Sequence, residues 1–178
     1  MDTRLETARL VIRTFEARDA SPWLAMVSDP EVRRFLPAGP APTVEVSERI
    51  VGERQEMERE RGYAMWAVDD KATGIFVGQC GLRAIDEAGP EVELAYHYTS
   101  ASWNKGYGTE AAIAVLAHGF GPVGVDRIIA VVVPENVGSW RVMEKAGMSY
   151  EGLVDYFGMP GLKKYIAERD WWNRHSQG

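Results

Sequence analysis

The stretch Ser102-Trp103-Asn104-Lys105-Gly106-Tyr107-Gly108-Thr109-Glu110-Ala111 sets two glycines and a lysine directly ahead of a run that reads as helix. A helix N-terminus leaves backbone N–H groups without internal acceptors, and those donors attract anions. Gly106 and Gly108 admit backbone angles closed to other residues and let a ligand approach the main chain, while Lys105 adds a point charge. That combination suits a pyrophosphate. The same residues also make a purely structural corner, and the stretch alone leaves both readings open. It is not a Walker P-loop, in which the lysine follows the glycines. Nor is it a dinucleotide fingerprint, since Thr109, Glu110 and Ala111 stand where a third glycine is needed.

The elements around this turn follow from periodicity. Glu91 to Tyr98 alternates strictly, with Val92, Leu94, Tyr96 and Tyr98 on one face and Glu91, Glu93, Ala95 and His97 on the other. One face should pack while the other meets solvent or a cleft. Thr109 to about His118 is an alanine-rich helix ended by Gly119-Phe120-Gly121-Pro122. Ile128 to Val133 is a continuous apolar run and predicts a central strand buried on both faces. Val137 to Ala146 predicts a helix with Gly147 at its C-terminal cap. Upstream, Arg9 to Phe15 reads as a strand and Asp19 as the cap of a helix through Met26. Thr43 caps a helix to about Arg61 with Val46, Ile50 and Met57 at helical spacing, whose densely charged Glu53 to Arg61 segment reads as a solvated face. Tyr63 to Val68 and Ile75 to Ala84 form a hairpin about Asp69 to Gly74. Strands at about Ser149 to Val154 and Lys163 to Asp170 close the chain. The sum is an α+β fold, a mixed sheet of about seven strands flanked by helices.

Composition bounds the rest. The 178 residues suit one domain, taken as 1–178, and the formal net charge of −6 argues against nucleic acid or anionic lipid as a partner. No apolar run is long enough to span a bilayer, and Met1 is followed by no signal-like stretch, so the protein is expected in the cytoplasm. Cys80 stands alone, with no histidine adjacent in sequence, which rules out an internal disulfide and a cysteine metal cluster. No metal is expected. A monomer or a homodimer is, with Trp171 and Trp172 either forming a dimer contact or packing on their own sheet.

An ordered set of motifs resembles the GNAT superfamily of acyl-CoA-dependent N-acetyltransferases, particularly the branch that includes the ribosomal-protein N-terminal (Rim-type) acetyltransferases. Glu93-Leu94-Ala95-Tyr96-His97-Tyr98 looks like that family's fourth strand, and Trp103 through Ala111 like its pyrophosphate loop and following helix. Asn136-Val137-Gly138-Ser139 through Glu144-Lys145-Ala146-Gly147-Met148 looks like the next helix, Glu151-Gly152 like the turn into the sixth strand, and Thr7 to Arg13 like the first strand. The match runs over roughly residues 7 to 170. It departs at Trp103, where the general superfamily has Gln or Arg; the substitution is usual in this branch.

The resemblance implies a largely antiparallel sheet that splays between its fourth and fifth strands, with acetyl-CoA as cosubstrate and a primary amine, on a protein N-terminus or a small molecule, as acceptor. A module that binds acyl-CoA without turnover is the alternative. The pantetheine arm would pair with main chain at Tyr96, His97, Tyr98 and Thr99, and the pyrophosphate with Asn104, Lys105, Gly106, Tyr107, Gly108 and Thr109. Asn136 would bridge to pantetheine or cap its own helix. Ser139 would face the leaving sulfur, with Tyr150 or Tyr156 as substitutes. Glu93 is the candidate base, acting through water, with an exposed strand-face carboxylate as the alternative; His97 could share the role or be a satisfied strand histidine. Phe35, Trp66, Tyr156 and Phe157 are the candidates for the acceptor side, with core packing the other reading of Trp66.

Overall fold

The computed structural model describes residues 2–85 and 91–175. Two short antiparallel strands, β1 (Arg4–Glu6) and β2 (Leu10–Arg13), lead into helices α1 (Ala20–Ser28), α2 (Pro30–Arg33) and α3 (Val44–Arg61). Strands β3 (Met65–Asp70), β4 (Phe76–Ile85) and β5 (Glu91–Tyr98) follow, then α4 (Tyr107–His118), β6 (Arg127–Val132) and α5 (Val137–Lys145). The chain closes with β7 (Ser149–Tyr156), β8 (Met159–Glu168) and α6 (Arg169–His175).

The sheet has eight strands in the order β1-β2-β3-β4-β5-β6-β8-β7, one more than the alternation predicts. The addition is β1, whose three residues are too few to display a period, so the predicted fourth and fifth strands are β5 and β6. Every neighbouring pair is antiparallel except β5 and β6, which are parallel and register only at Val92 with Ile128 and Glu93 with Ile129. Beyond Glu93 the two strands part, and their facing backbone groups have no ladder partner across the gap.

Period-two patterning sends alternate side chains into two cores. One face buries Leu10, Ile12, Trp66, Leu82 and Leu94 against Ala111, Ala112, Val115 and Leu116 of α4. The other buries Ala67 with Phe15 and Val51, and with Trp23, Met26 and Val27 of α1. Helix α3 starts as predicted, with Thr43 Oγ1 accepting from Val46 N–H at 3.4 Å, and stops at Gly62, whose φ of 75° is open mainly to glycine. Its charged half is not wholly solvated. Glu58 is buried and accepts from Thr3 N–H and Thr14 Oγ1 at 2.8 Å each. Asp19 does not cap α1 through its side chain; its carboxylate is buried on the Arg13 guanidinium, at 2.7 and 2.9 Å, and Asp69 takes the rest of that fork. The side chains of Trp171 and Trp172 lie outside the described residues.

Candidate active site

The turn into α4 is built from backbone that only a few residue types accept. Asn104 sits at φ 60° and Gly106 at φ 80°, and no side chain caps the helix. Helix geometry therefore leaves the N–H groups of Tyr107, Gly108 and Thr109 without intrahelical acceptors. A Cβ on Gly108 would lie 3.1 Å from Val142 Cγ2, so glycine there permits the close approach of α4 to α5. Four hydrogen bonds hold the turn. Arg9 Nη1 donates to Lys105 O at 2.8 Å while Arg9 Nε pairs with Glu110 at 2.7 Å, Tyr107 Oη donates to Asp70 at 2.6 Å, and Trp103 Nε1 donates to Tyr98 O at 3.0 Å. Glu110 also accepts from Thr7 Oγ1 and Arg9 N–H. Burial pushes its carboxyl upward, but the Thr7 and Arg9 donors outweigh it and the net displacement is downward.

A cavity of about 530 Å³ opens where β5 and β6 part. Its walls are Tyr96, His97 and Tyr98 of β5, the turn from Trp103 and Asn104 through Gly106, Tyr107, Gly108 and Thr109, and Asn136 to Ser139 at the start of α5, with Val32, Arg34 and Phe35 at one side. Uncapped amides, a glycine turn and a cavity of this size fit an elongated ligand with a pyrophosphate. Two predicted contacts lie off the walls. Lys105 is exposed, and its carbonyl is taken by Arg9. Thr99 N–H donates to Val77 O and its hydroxyl pairs with Ser102, so neither faces a ligand.

Across the gap, Ser139 Oγ donates to Tyr96 Oη at 3.1 Å, and Tyr96 Oη donates to Ser139 O at 2.8 Å. Asn136 caps α5, its Oδ1 accepting from Ser139 N–H at 3.2 Å, which fixes Ser139 in the first turn. Burial pushes the Tyr96 phenol well above its ordinary value, so it stays protonated and can donate. Sequence reasoning assigned Tyr96 a backbone contact and missed the hydroxyl, because alternation alone puts it on the packed face.

The protonation of His97 follows from its neighbours. Trp23 Nε1 can only donate, and it does so to Gln79 Oε1 at 3.0 Å. The Gln79 amide must then offer N–H to His97 Nδ1, 2.8 Å away, so His97 accepts there and carries its proton on Nε2. Burial, with the Arg83 and Arg54 guanidiniums nearby, pulls His97 down to about 4, and it is neutral at pH 7. It presents a donor rather than a basic lone pair, which weighs against its expected share in proton abstraction.

Glu93 is not the exposed carboxylate of the alternation. It is 2% exposed, paired with Arg83, and absent from the cavity wall. Burial pushes it upward, opposed by Arg83. Trp66, 0% exposed, packs edge-on to His118 in the core, which corrects its placement on the acceptor side. Tyr156 donates to Glu91 at 3.0 Å and Phe157 lies under the Arg83 guanidinium, so both sit on the β4–β5 surface away from the described cavity. Tyr150 is half-exposed beside Tyr165 on β7 and off the cavity wall. Of the four acceptor candidates, Phe35 alone lines the cavity, stacked at a tilt on Trp103. The Cys80 thiol is fully buried and pushed up to about 12.

A mixed sheet parted beside an uncapped, glycine-turned helix N-terminus defines the class of acyl-CoA-dependent acetyltransferases. The chain belongs to the Acetyltransferase (GNAT) domain family, whose profile matches residues 9–149. It is 31% identical over 174 residues to the uncharacterized N-acetyltransferase YnaD of Bacillus subtilis (strain 168), covering 96% of this chain and 93% of that protein. It also resembles the crystal structure of the GNAT-family acetyltransferase from Bacillus anthracis (TM-score 0.80, 28% identity, covering 94% of this chain and 99% of that one). Mycobacterium smegmatis RimJ, solved in complex with CoA-disulfide, shares the fold at TM-score 0.79 and 21% identity, covering 95% of this chain and 87% of that one.

Proposed function

We propose that the protein transfers an acetyl group from acetyl-CoA to a primary amine by direct attack within a ternary complex in the cytoplasm. The observation that carries this reading is the cavity in the β5–β6 gap, with free α4 amides at one end and the Tyr96–Ser139 hydroxyl pair on its wall. The likeness to a fold solved with CoA-disulfide supports the same ligand. Acetyl-CoA supplies the acyl thioester: the amine nitrogen bonds to its carbonyl carbon, the C–S bond breaks, the amine proton leaves to solvent, and CoA departs as thiolate before taking a proton.

The chain's own residues supply position and hydrogen bonds. The amides of Tyr107, Gly108 and Thr109 hold the pyrophosphate and place the thioester. A thiol has a pKa of about 8.5 and a phenol about 10, so a buried phenol gives up its proton to a thiolate only uphill. Tyr96 therefore stabilises the leaving sulfur by turning its single O–H from the Ser139 carbonyl to the sulfur, while Ser139 Oγ, donating to Tyr96 Oη, keeps the phenol in place. Among the described residues the one carboxylate on the cavity wall is Glu135, beside the α5 cap, and His97 shows a donor. With no strong base at hand, acceptors that deprotonate near neutrality are favoured, and an α-amine at about 8 is served better than a lysine amine at about 10.4.

The test follows CoA thiol release with acetyl-CoA and an amine panel. Turnover with at least one amine is expected, with intersecting initial-rate patterns. Tyr96→Phe should lower kcat about 10- to 100-fold, the loss of a hydrogen bond to a charged group, while acetyl-CoA affinity holds. Acetyl-CoA binding with no thiol released on any amine would leave the non-catalytic binding module as the answer.

A further inference from the structure

Three elements cooperate to set one proton on the cavity wall. Trp23 of α1 gives its ring N–H to Gln79 of β4, Gln79 gives its amide N–H to His97 Nδ1 on β5, and the imidazole proton is left on Nε2. Trp23 and Gln79 are both buried and neither lines the cavity, so the relay is held by the core rather than by a ligand. His97 differs from them. It is partly exposed and stands in the cavity wall. Its Nε2 meets no partner among the described residues, yet it is not one of the polar atoms sealed from solvent. The open space that Nε2–H faces is therefore the cavity, and an unmet donor there is free for a ligand's oxygen.

Two observations say which oxygen that is. Burial and the Arg83 and Arg54 guanidiniums oppose a second proton on the ring, so at neutral pH His97 donates a hydrogen bond without acting as an acid. Strand alternation puts Tyr96 and His97 on opposite faces of β5, so a phenol and an imidazole N–H flank the gap from its two sides. A thioester carries its sulfur and its oxygen on one carbon. With the sulfur turned to Tyr96, the oxygen is left to the His97 side. Resting on the acetyl-transfer reading above, we propose that His97 Nε2–H is a catalytic donor to the thioester carbonyl oxygen of acetyl-CoA. As the amine nitrogen bonds to the carbonyl carbon, the C=O π pair moves onto oxygen and the hydrogen bond from Nε2–H strengthens. When that pair returns, the C–S bond breaks and its electrons leave on sulfur. His97 keeps its proton throughout, and a neutral imidazole fixed in one tautomer suits that task.

The experiment reads the imidazole and the carbonyl directly. In the wild type carrying 15N-histidine, His97 should show a protonated Nε2 and a bare Nδ1 at neutral pH, and the Nε2–H resonance should move downfield when acetyl-CoA binds. The reverse tautomer, or an Nε2–H that acetyl-CoA leaves unmoved, would overturn the proposal, and neither result depends on a variant that might not fold. With acetyl-CoA carrying 13C at the thioester carbonyl, the bound resonance should lie downfield of its position in His97→Phe, which keeps a ring and loses the N–H. Equal positions would overturn it. Turnover should split the same way. His97→Phe should lower kcat about 100-fold while acetyl-CoA affinity and the amine KM change little, and His97→Gln, which offers an amide N–H near the same point, should recover part of the loss. A raised amine KM with kcat unchanged would place His97 on the acceptor instead, and equal losses in the two variants would reduce it to a packing residue. Either outcome sinks the carbonyl donor. If no amine turns over, the transfer reading fails by itself, and the two resonances in the acetyl-CoA complex still decide whether His97 donates to the carbonyl.

Discussion

At the scale of single residues, partners decide what each group can do. His97 carries an ordinary imidazole, yet one tryptophan N–H fixes Gln79, and Gln79 fixes the tautomer. A pH prediction follows. The folded value near 4 lies below the ordinary 6.5, so between those limits the unfolded chain binds the extra proton. Stability supported by neutral His97 is complete above pH 6.5 and is lost as pH falls toward 4, by roughly 3 kcal/mol at most. Glu93, pushed upward, acts with the opposite sign in acid, but equally in wild type and in a His97 variant. Thermal melts at pH 6.5 and pH 4 should therefore show a larger fall for the wild type than for His97→Gln, and equal falls would contradict the buried neutral imidazole. Sequence showed Glu93 and His97 as neighbours on one strand face. It could not show that Arg83 stands opposite Glu93 on β4, or that Trp23 closes the chain from α1, because those contacts cross between elements.

Elements carry the site through their ends. The glycine turn, the following helix and the strand before them were legible, since φ-permissive residues and hydrophobic periods are local signals. The clamp on the turn was not, because Arg9 lies 101 residues from Glu110. Arg9 fastens Lys105 O and Glu110 together, so it sets where the free amides of α4 point. Glu110→Gln keeps an acceptor for Thr7 but weakens the hold on Arg9. It should raise KM for acetyl-CoA about 5- to 30-fold with kcat within twofold, as steady-state kinetics would show. A change in kcat alone would place Glu110 in the chemistry instead. The β7–β8 connection is shorter than the expected strand limits of about Val154 and Lys163 imply. It is a tight turn at Phe157 and Gly158, with φ 57° and 68°, and phenylalanine is not a residue that announces such a turn.

For the whole molecule, alternation and apolar runs were enough for an α+β sheet flanked by helices; they missed the short first strand and the short helices α2 and α6, the start of the latter having been read as strand. The parting of β5 from β6 is a different kind of feature. Nothing in Glu91 to Tyr98 or Arg127 to Val132 by itself forbids further pairing, and the gap is an open cavity bounded by the turn into α4 and the start of α5. Motif order therefore pointed to the donor and left the acceptor unnamed. Amide hydrogen exchange with and without acetyl-CoA tests the central claim most directly. Protection should rise at residues 104–109 and along 96–98 and 136–139, with little change on β1 and β2. Protection that leaves those three segments unchanged while acetyl-CoA is bound would contradict a cosubstrate seated between the parted strands.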